Sequence, residues 1–264
     1  MMAEENSAMG TRHSIEARGV SFGYGRRTNG EEPLLSIDSL LIPEKKTTAI
    51  LGPNGSGKST LLKLLCGIHA AWSGDIILFG KPLRTLPGTE RARKIAFVPQ
   101  NAPTPDIATG SLVLHGRFPH KGLSPFRNYS KDDKEKARHA MEQMNILPLA
   151  ERNVRTLSAG QRQRAFIALA LAQETPALVL DEPFAFLDIR EQLELSRTLA
   201  SMGKTVVVVL HDIPLALERS DRVALLERGR LRAFGTPREV LDSGSVQDVF
   251  GVRVGRRSTL SFSL

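Results

Sequence analysis

Gly52-Pro53-Asn54-Gly55-Ser56-Gly57-Lys58-Ser59 reads G-x-x-x-x-G-K-S, the P-loop spacing of a turn that wraps a phosphate. Its glycines let successive backbone N–H groups point inward at an anion. Lys58 adds a positive charge for β- and γ-phosphates, and the Ser59 hydroxyl can ligate a divalent cation. The flanks fit this use. Residues 47–51 (TTAIL) read as a short buried strand, and residues 60–65 (TLLKLL) open an apolar helix. Strand, loop and helix in this order separate the motif from a glycine-rich surface turn. The ligand implied is a nucleoside triphosphate.

A second group lies downstream. The apolar residues 177–180 (ALVL) read as a strand buried on both faces, and it delivers Asp181 and Glu182 at its end, where open parallel sheets place their ligands. Beside a bound triphosphate, Asp181 suits holding Mg²⁺ through water and Glu182 suits polarising the water that attacks the γ-phosphate. A third group is Leu157-Ser158-Ala159-Gly160-Gln161-Arg162-Gln163-Arg164. Its S-x-x-Q spacing, Ser158 to Gln161, is that of a capping box at a helix start. The same geometry also presents free N–H groups, a helix dipole and a hydroxyl to an anion.

The elements that must position these groups alternate. Strand patterns cover residues 15–22, 34–42, 47–51, 75–79, 94–100, 177–180 and 205–210, and residues 223–226 and 231–234 flank Arg228-Gly229 as a hairpin. Residues 28–33 read as a turn, and Gly80-Lys81-Pro82 as the end of a strand. Helix patterns cover 130–146, with Ala137, Met141 and Met144 on one side, then 161–172, and 191–202 closed by Gly203. Between Asn101 and Thr156 strand signals vanish and prolines interrupt the chain, so a helical subdomain is inserted into a sheet-based core. This is an α/β pattern with a largely parallel sheet.

Composition narrows the classes. The 264 residues carry a formal net charge of +8, 41% hydrophobic and 5% aromatic residues. The basic residues are dispersed, with few aromatics between them. That disfavours single-stranded nucleic acid and favours solvated faces near an anionic membrane surface. No apolar run approaches the roughly 18 residues that span a bilayer, and residues 1–10 lack the progression of a secretory signal. The lone cysteine, Cys66, excludes an intrachain disulfide. These features point to the cytoplasm.

The combined motifs resemble the ATP-binding cassette (ABC) family, in particular the nucleotide-binding subunit of its transporters, from about Ile15 to Val254. The matching residues are the P-loop from Gly52 to Thr60, the Q-loop glutamine Gln100, the signature from Leu157 to Gln161, the strand motif from Leu178 to Glu182, the D-loop Phe186-Leu187-Asp188, and the switch histidine His211. Tyr24 matches the aromatic that stacks on adenine. The resemblance implies a P-loop NTPase core with a mostly parallel sheet, an antiparallel β edge and an inserted helical subdomain. Its domain scheme is a tail over residues 1–13, a nucleotide-binding domain over 14–254 with the helical subdomain at about 101–172, and a second tail over 255–264.

The resemblance also implies a mechanism. Two copies meet head to tail around two ATP molecules. Each ATP lies between the P-loop of one copy and Ser158, Gly160 and Gln161 of the other, and Asp188 of the D-loop is a further nucleotide-binding residue. Glu182 activates water, His211 contacts the γ-phosphate, and Gln100 senses Mg²⁺, which Ser59 and Asp181 also hold. Implied partners are transmembrane permease subunits and, indirectly, an extracytoplasmic substrate-binding protein, with the chain peripheral on the cytoplasmic side of the membrane and no nucleic acid bound. Two departures stand out: Ala159 replaces the usual glycine, and Phe184 and Phe186 replace small or hydroxyl residues. Residues 112–120 (LVLHGRFPH) and 187–195 (LDIREQLEL) resemble subunits that drive uptake of iron–siderophore complexes, haem and cobalamin. Iron-chelate import is therefore the expected task, with other ABC importers, exporters, a DNA-acting ATPase and a non-hydrolysing sensor as alternatives. The DNA-acting class carries long coiled coils, and no sustained heptad occurs here.

Overall fold

A computed structural model describes residues 12–25, 31–121, 128–242 and 244–251. Residues 1–11 of the expected first tail, all of the expected second tail at 255–264 and residues 28–30 of the expected turn at 28–33 lie outside the described residues.

Among the described residues ten strands form one sheet: β1 His13–Phe22, β2 Leu35–Pro43, β3 Thr47–Leu51, β4 Ser73–Leu78, β5 Lys81–Pro82, β6 Ile95–Val98, β7 Ala177–Asp181, β8 Thr205–Val209, β9 Arg222–Glu227 and β10 Arg230–Gly235. Their order is β5-β4-β1-β2-β10-β9-β3-β8-β7-β6. From β9 to β6 every pairing is parallel. The pairs β1–β2, β1–β4, β4–β5 and β9–β10 are antiparallel. The mixed sheet with a parallel core and an antiparallel edge is the expected fold class. The hairpin β9–β10 sits in the middle, joining the two parts.

The β-branched run Thr205-Val206-Val207-Val208-Val209 is buried along its whole length, as is β7. Because successive strand residues face opposite ways, Leu178, Leu180, Val206 and Val208 enter one core and Ala177, Val179, Val207 and Val209 the other. The second core holds α1 (Lys58–Leu65). The first is covered by α3 (Thr109–His115), α4 (Lys131–Gln143) and α5 (Ala159–Ala172). The remaining helices are α2 (Gly88–Ala92), α6 (Ile189–Ser201), α7 (Ile213–Arg219), α8 (Pro237–Asp242) and α9 (Ser245–Phe250).

Several local expectations shift. His13 starts β1 rather than ending a tail, because its strand pairs with β2 as far as Pro43. Lys81-Pro82 does not merely end a strand; it folds back on β4 as a short partner. Helix α4 stops at Gln143, and Asn145 turns the chain with φ 54°. Met202 caps α6, and Gly203 follows it in the left-handed region.

Candidate functional site

Strands β3, β8, β7 and β6 are neighbours and run parallel, so their C-terminal ends share one edge of the sheet. Each end is followed by a candidate residue: the glycine-rich loop after β3, His211 after β8, Asp181 and Glu182 at β7, and Gln100 after β6. This edge is where an open α/β sheet binds ligands. Leu34, Asn54, Gly55, Gly57, Lys58, Ser59, Thr60, Gln100, Glu182 and His211 line an open cleft of about 740 Å³ there, roomy enough for a nucleotide-sized ligand. Leu34 is half-exposed and carries no chemical signal, so sequence reasoning passed over it.

The loop is shaped by close approach. A Cβ on Gly52 would stand 2.2 Å from the Leu226 carbonyl oxygen and 2.6 Å from Ser56 Oγ. Gly57 has φ 98° and leads into α1. Lys58 Nζ donates to the carbonyls of Gly52, at 2.8 Å, and Pro53, at 3.0 Å. Gly52 and Pro53 thus hold the lysine rather than line the cleft. Burial lowers the Lys58 pKa, while Glu182 and Asp181 act against that shift.

Glu182 is the hub of the polar groups. Gln100 Nε2 donates to its Oε2 at 2.6 Å, and His211 Nε2 lies 2.5 Å from its Oε1. The backbone at Glu182 has φ 53°, a conformation that costs of order 1–3 kcal/mol outside glycine. The surrounding turns, Ala185 N to Glu182 O and Leu187 N to Phe184 O, hold it there. Behind it, burial pushes the Asp181 carboxyl up, and the Glu182 charge adds to this. A Ser59 hydrogen bond, Lys63 and Lys58 oppose the rise.

Asp181 Oδ1 and Ser56 Oγ are buried with no hydrogen-bond partner among the described residues. A buried oxygen of this kind is costly unless something completes it. Ser59 and Asp181 already meet, so a hydroxyl and a carboxylate converge beside the phosphate loop, an oxygen set that fits Mg²⁺. No cluster of three or more His, Cys, Asp or Glu suited to a metal occurs among the described residues. A cation here would depend on water and phosphate oxygens for its remaining ligands.

The other candidates lie elsewhere. Tyr24, 63% exposed, stands above α1 with its hydroxyl 3.4 Å from Thr60 Oγ1. Ser158, Gly160, Gln161 and Asp188 do not line the cleft of their own chain. Ser158 caps α5, accepting from the Gln161 amide at 3.2 Å while Gln161 Oε1 accepts from the Ser158 amide at 3.1 Å. Asp188 caps α6 in the same reciprocal way with Glu191. A Cβ on Gly160 would come within 3.3 Å of the Phe186 carbonyl oxygen, so the start of α5 and the loop after Glu182 are packed together. Cys66 is buried, and burial pushes its thiol up, which leaves it a core residue.

Known proteins resemble this chain in sequence and in fold. The family model described as ABC transporter matches residues 35–185. The ferric enterobactin transport ATP-binding protein FepC of Escherichia coli (strain K12) is 39% identical over 89% of this chain and 86% of its own length. The petrobactin import ATP-binding protein FpuC of Bacillus anthracis is 41% identical over 79% of this chain and 78% of its own. Among solved structures, an inward-facing, proposed metal-chelate type ABC transporter aligns with TM-score 0.76 and 30% identity, over 91% of this chain and 90% of that one. A dimeric ATP-binding cassette in a post-hydrolysis state with ADP and phosphate aligns with TM-score 0.73 and 26% identity, over 84% and 98%. By sequence match and by fold, the chain belongs to the ABC transporter family, as an ATP-binding, ATP-hydrolysing subunit.

Proposed function

We propose that this subunit energises uptake of an iron–siderophore complex, working as a head-to-tail pair of copies on the cytoplasmic face of the membrane. The observation that carries the catalytic part is the convergence of Gln100 and His211 on the Glu182 carboxylate, across the cleft from Lys58. The siderophore-importer names of the relatives support the cargo. The dimeric cassette supports the pairing.

In this reading the Gly52–Thr60 backbone and Lys58 cradle the β- and γ-phosphates, and Tyr24 stacks on the base. Ser158, Gly160 and Gln161 of the second copy close over the γ-phosphate, which explains why they lie outside the cleft of their own chain. Glu182 accepts the proton of the attacking water. His211 leaves Glu182 and donates to the γ-phosphate as charge develops there. Ser59, Asp181 and Gln100 would hold Mg²⁺, which when bound neutralises phosphate charge. Asp188 orders the seam through its cap on α6. Residues 14–254 form the working domain. The helical part at about 101–172 passes the state of Gln100 to the permease, and an extracytoplasmic substrate-binding protein delivers cargo on the far side. No helix among the described residues is long and apolar enough to cross a membrane, so the permease supplies the span.

Purified protein should hydrolyse ATP only with Mg²⁺ present. Lys58→Ala should abolish turnover. Glu182→Gln should bind ATP, fail to turn it over and run as a dimer on size exclusion. A Glu182→Gln protein that hydrolyses at the wild-type rate would remove Glu182 from its role. Normal ferric-siderophore uptake by a deletion strain would remove the cargo.

A further inference from the structure

The loop that carries Tyr24 is held from beneath. Trp72 Nε1 donates to the Gly25 carbonyl at 3.1 Å, and the Trp72 amide donates to the Ser21 carbonyl at 2.8 Å. Between these two bonds, Gly23 packs against the indole: a Cβ there would stand 2.2 Å from the ring. The φ of Gly23 is not positive, so contact with Trp72 is what demands glycine, whereas Gly25, at φ 91°, is demanded by the backbone. From the other side His69 stacks on Phe22, with centroids 5.1 Å apart, and meets Tyr24 edge-on at 5.9 Å. Phe22 itself is buried and meets Tyr24 at 5.3 Å. The outer end of Tyr24 reaches Thr60 in the first turn of α1. The tyrosine is thus supported on the side away from solvent and tied to the phosphate loop.

We infer that Trp72, seconded by His69, is a positioning residue for the base of ATP: it sets the height and tilt of the Tyr24 ring relative to the Gly52–Thr60 cradle. The inference rests on the proposed stacking role of Tyr24. Pre-organising an aromatic platform lowers the ordering cost of binding and so raises affinity. Tyr24 is mostly exposed, so its placement depends on the few groups on its inner side and on the backbone that carries it. Trp72 is the single tryptophan of the chain, and it touches the loop, so its emission reports directly on base docking.

Titration of full-length protein with ATP should change Trp72 emission, and titration with tripolyphosphate, which fills the same phosphate cradle without a base, should leave it unchanged. An equal change with both ligands would overturn the inference. Trp72→Ala should raise the KM for ATP about tenfold, the scale of one base–aromatic stack, with kcat unchanged and tripolyphosphate inhibition retained. An unchanged KM, or a kcat that falls with it, would also overturn it. Should Trp72→Ala fail to fold, Trp72→Phe keeps a ring under Gly23 and removes only the bond to Gly25. It should raise KM about threefold, and an unchanged KM would count against the inference. Binding of radiolabelled ATP separates the two layers. If ATP binds and Trp72 is silent, the positioning role fails alone; if ATP does not bind, the reading of the cleft fails first.

Discussion

Among the described residues charge is buried in two places, and the two are built differently. At the nucleotide cleft the polar groups are left incomplete. Asp181 Oδ1 and Ser56 Oγ have no partner among the described residues, Lys58 borrows loop carbonyls, and burial raises the Asp181 carboxyl. At the end of α3 the opposite holds. Arg117, its side chain 3% exposed, donates through Nε to Asp133 Oδ1 at 3.0 Å and through Nη1 to Glu174 at 2.9 Å and to the Ala172 carbonyl at 2.7 Å. Lys136 also reaches Glu174, at 2.9 Å. Burial would push the Asp133 carboxyl up, but hydrogen bonds from Ser130 and Arg117 outweigh it and hold it low. For Glu174, Lys136 and Arg117 likewise outweigh burial. A finished charge cluster is a clamp, here fastening the ends of α3 and α5 to α4. An unfinished one is a place prepared for a ligand.

Changing each centre in turn tests this contrast. Glu182→Gln should lower kcat by about 10²- to 10⁴-fold, the span of one general base, while leaving the apo protein folded. Steady-state turnover beside a denaturant curve measures both. Arg117→Ala should cost about 3–5 kcal/mol in a urea titration, since it strands Asp133 without its partner. Arg117→Met with Asp133→Leu should recover most of that loss, and a double variant no better than the single one would show the clamp is not a charge device. Acid should act on the clamp as well. The Asp133 and Glu174 pKa values are lower in the folded chain than in the unfolded one, so their stabilisation is complete above the ordinary carboxylate range. It is lost as pH falls through the folded values; melting temperature should therefore drop below about pH 4, with a shallower slope once Arg117 is removed. Asp181→Asn should do the reverse of Arg117→Ala. It removes a charge that burial disfavours, so the apo protein should melt higher while Mg²⁺-dependent turnover falls. The smallest effect belongs to Ala159→Gly at the start of α5, at most about 1 kcal/mol of stability, visible as a slight drop in melting temperature.

Legibility followed the range of the interactions. The phosphate loop, the buried strand before Asp181 and the cap at Ser158 rest on neighbours a few residues apart, and their spacing alone exposed them; the reciprocal cap of Asp188 with Glu191 emerged only in the fold. The run Leu112 to His120 was legible as a resemblance to iron-chelate importers but not as a structure. Its folded work is contact with α5: a Cβ on Gly116 would stand 2.2 Å from the Leu169 carbonyl oxygen, and His120 Nε2 lies 2.9 Å from the Gln173 carbonyl oxygen. Trp72 gave no signal either, since the loop it supports lies 47 positions away in sequence.

Residue order alone was enough to specify triphosphate chemistry, because a G-x-x-x-x-G-K-S turn builds its anion cradle from consecutive backbone amides and needs no distant partner. The meeting of Gln100 with Glu182 across 82 positions, the edge-on contact of His69 with Tyr24, and the burial that lifts Asp181 and leaves one of its oxygens unpartnered came only with the folded sheet. Parallel pairing aligns the ends of strands far apart in sequence, and desolvation has no magnitude until the chain has closed around the charge.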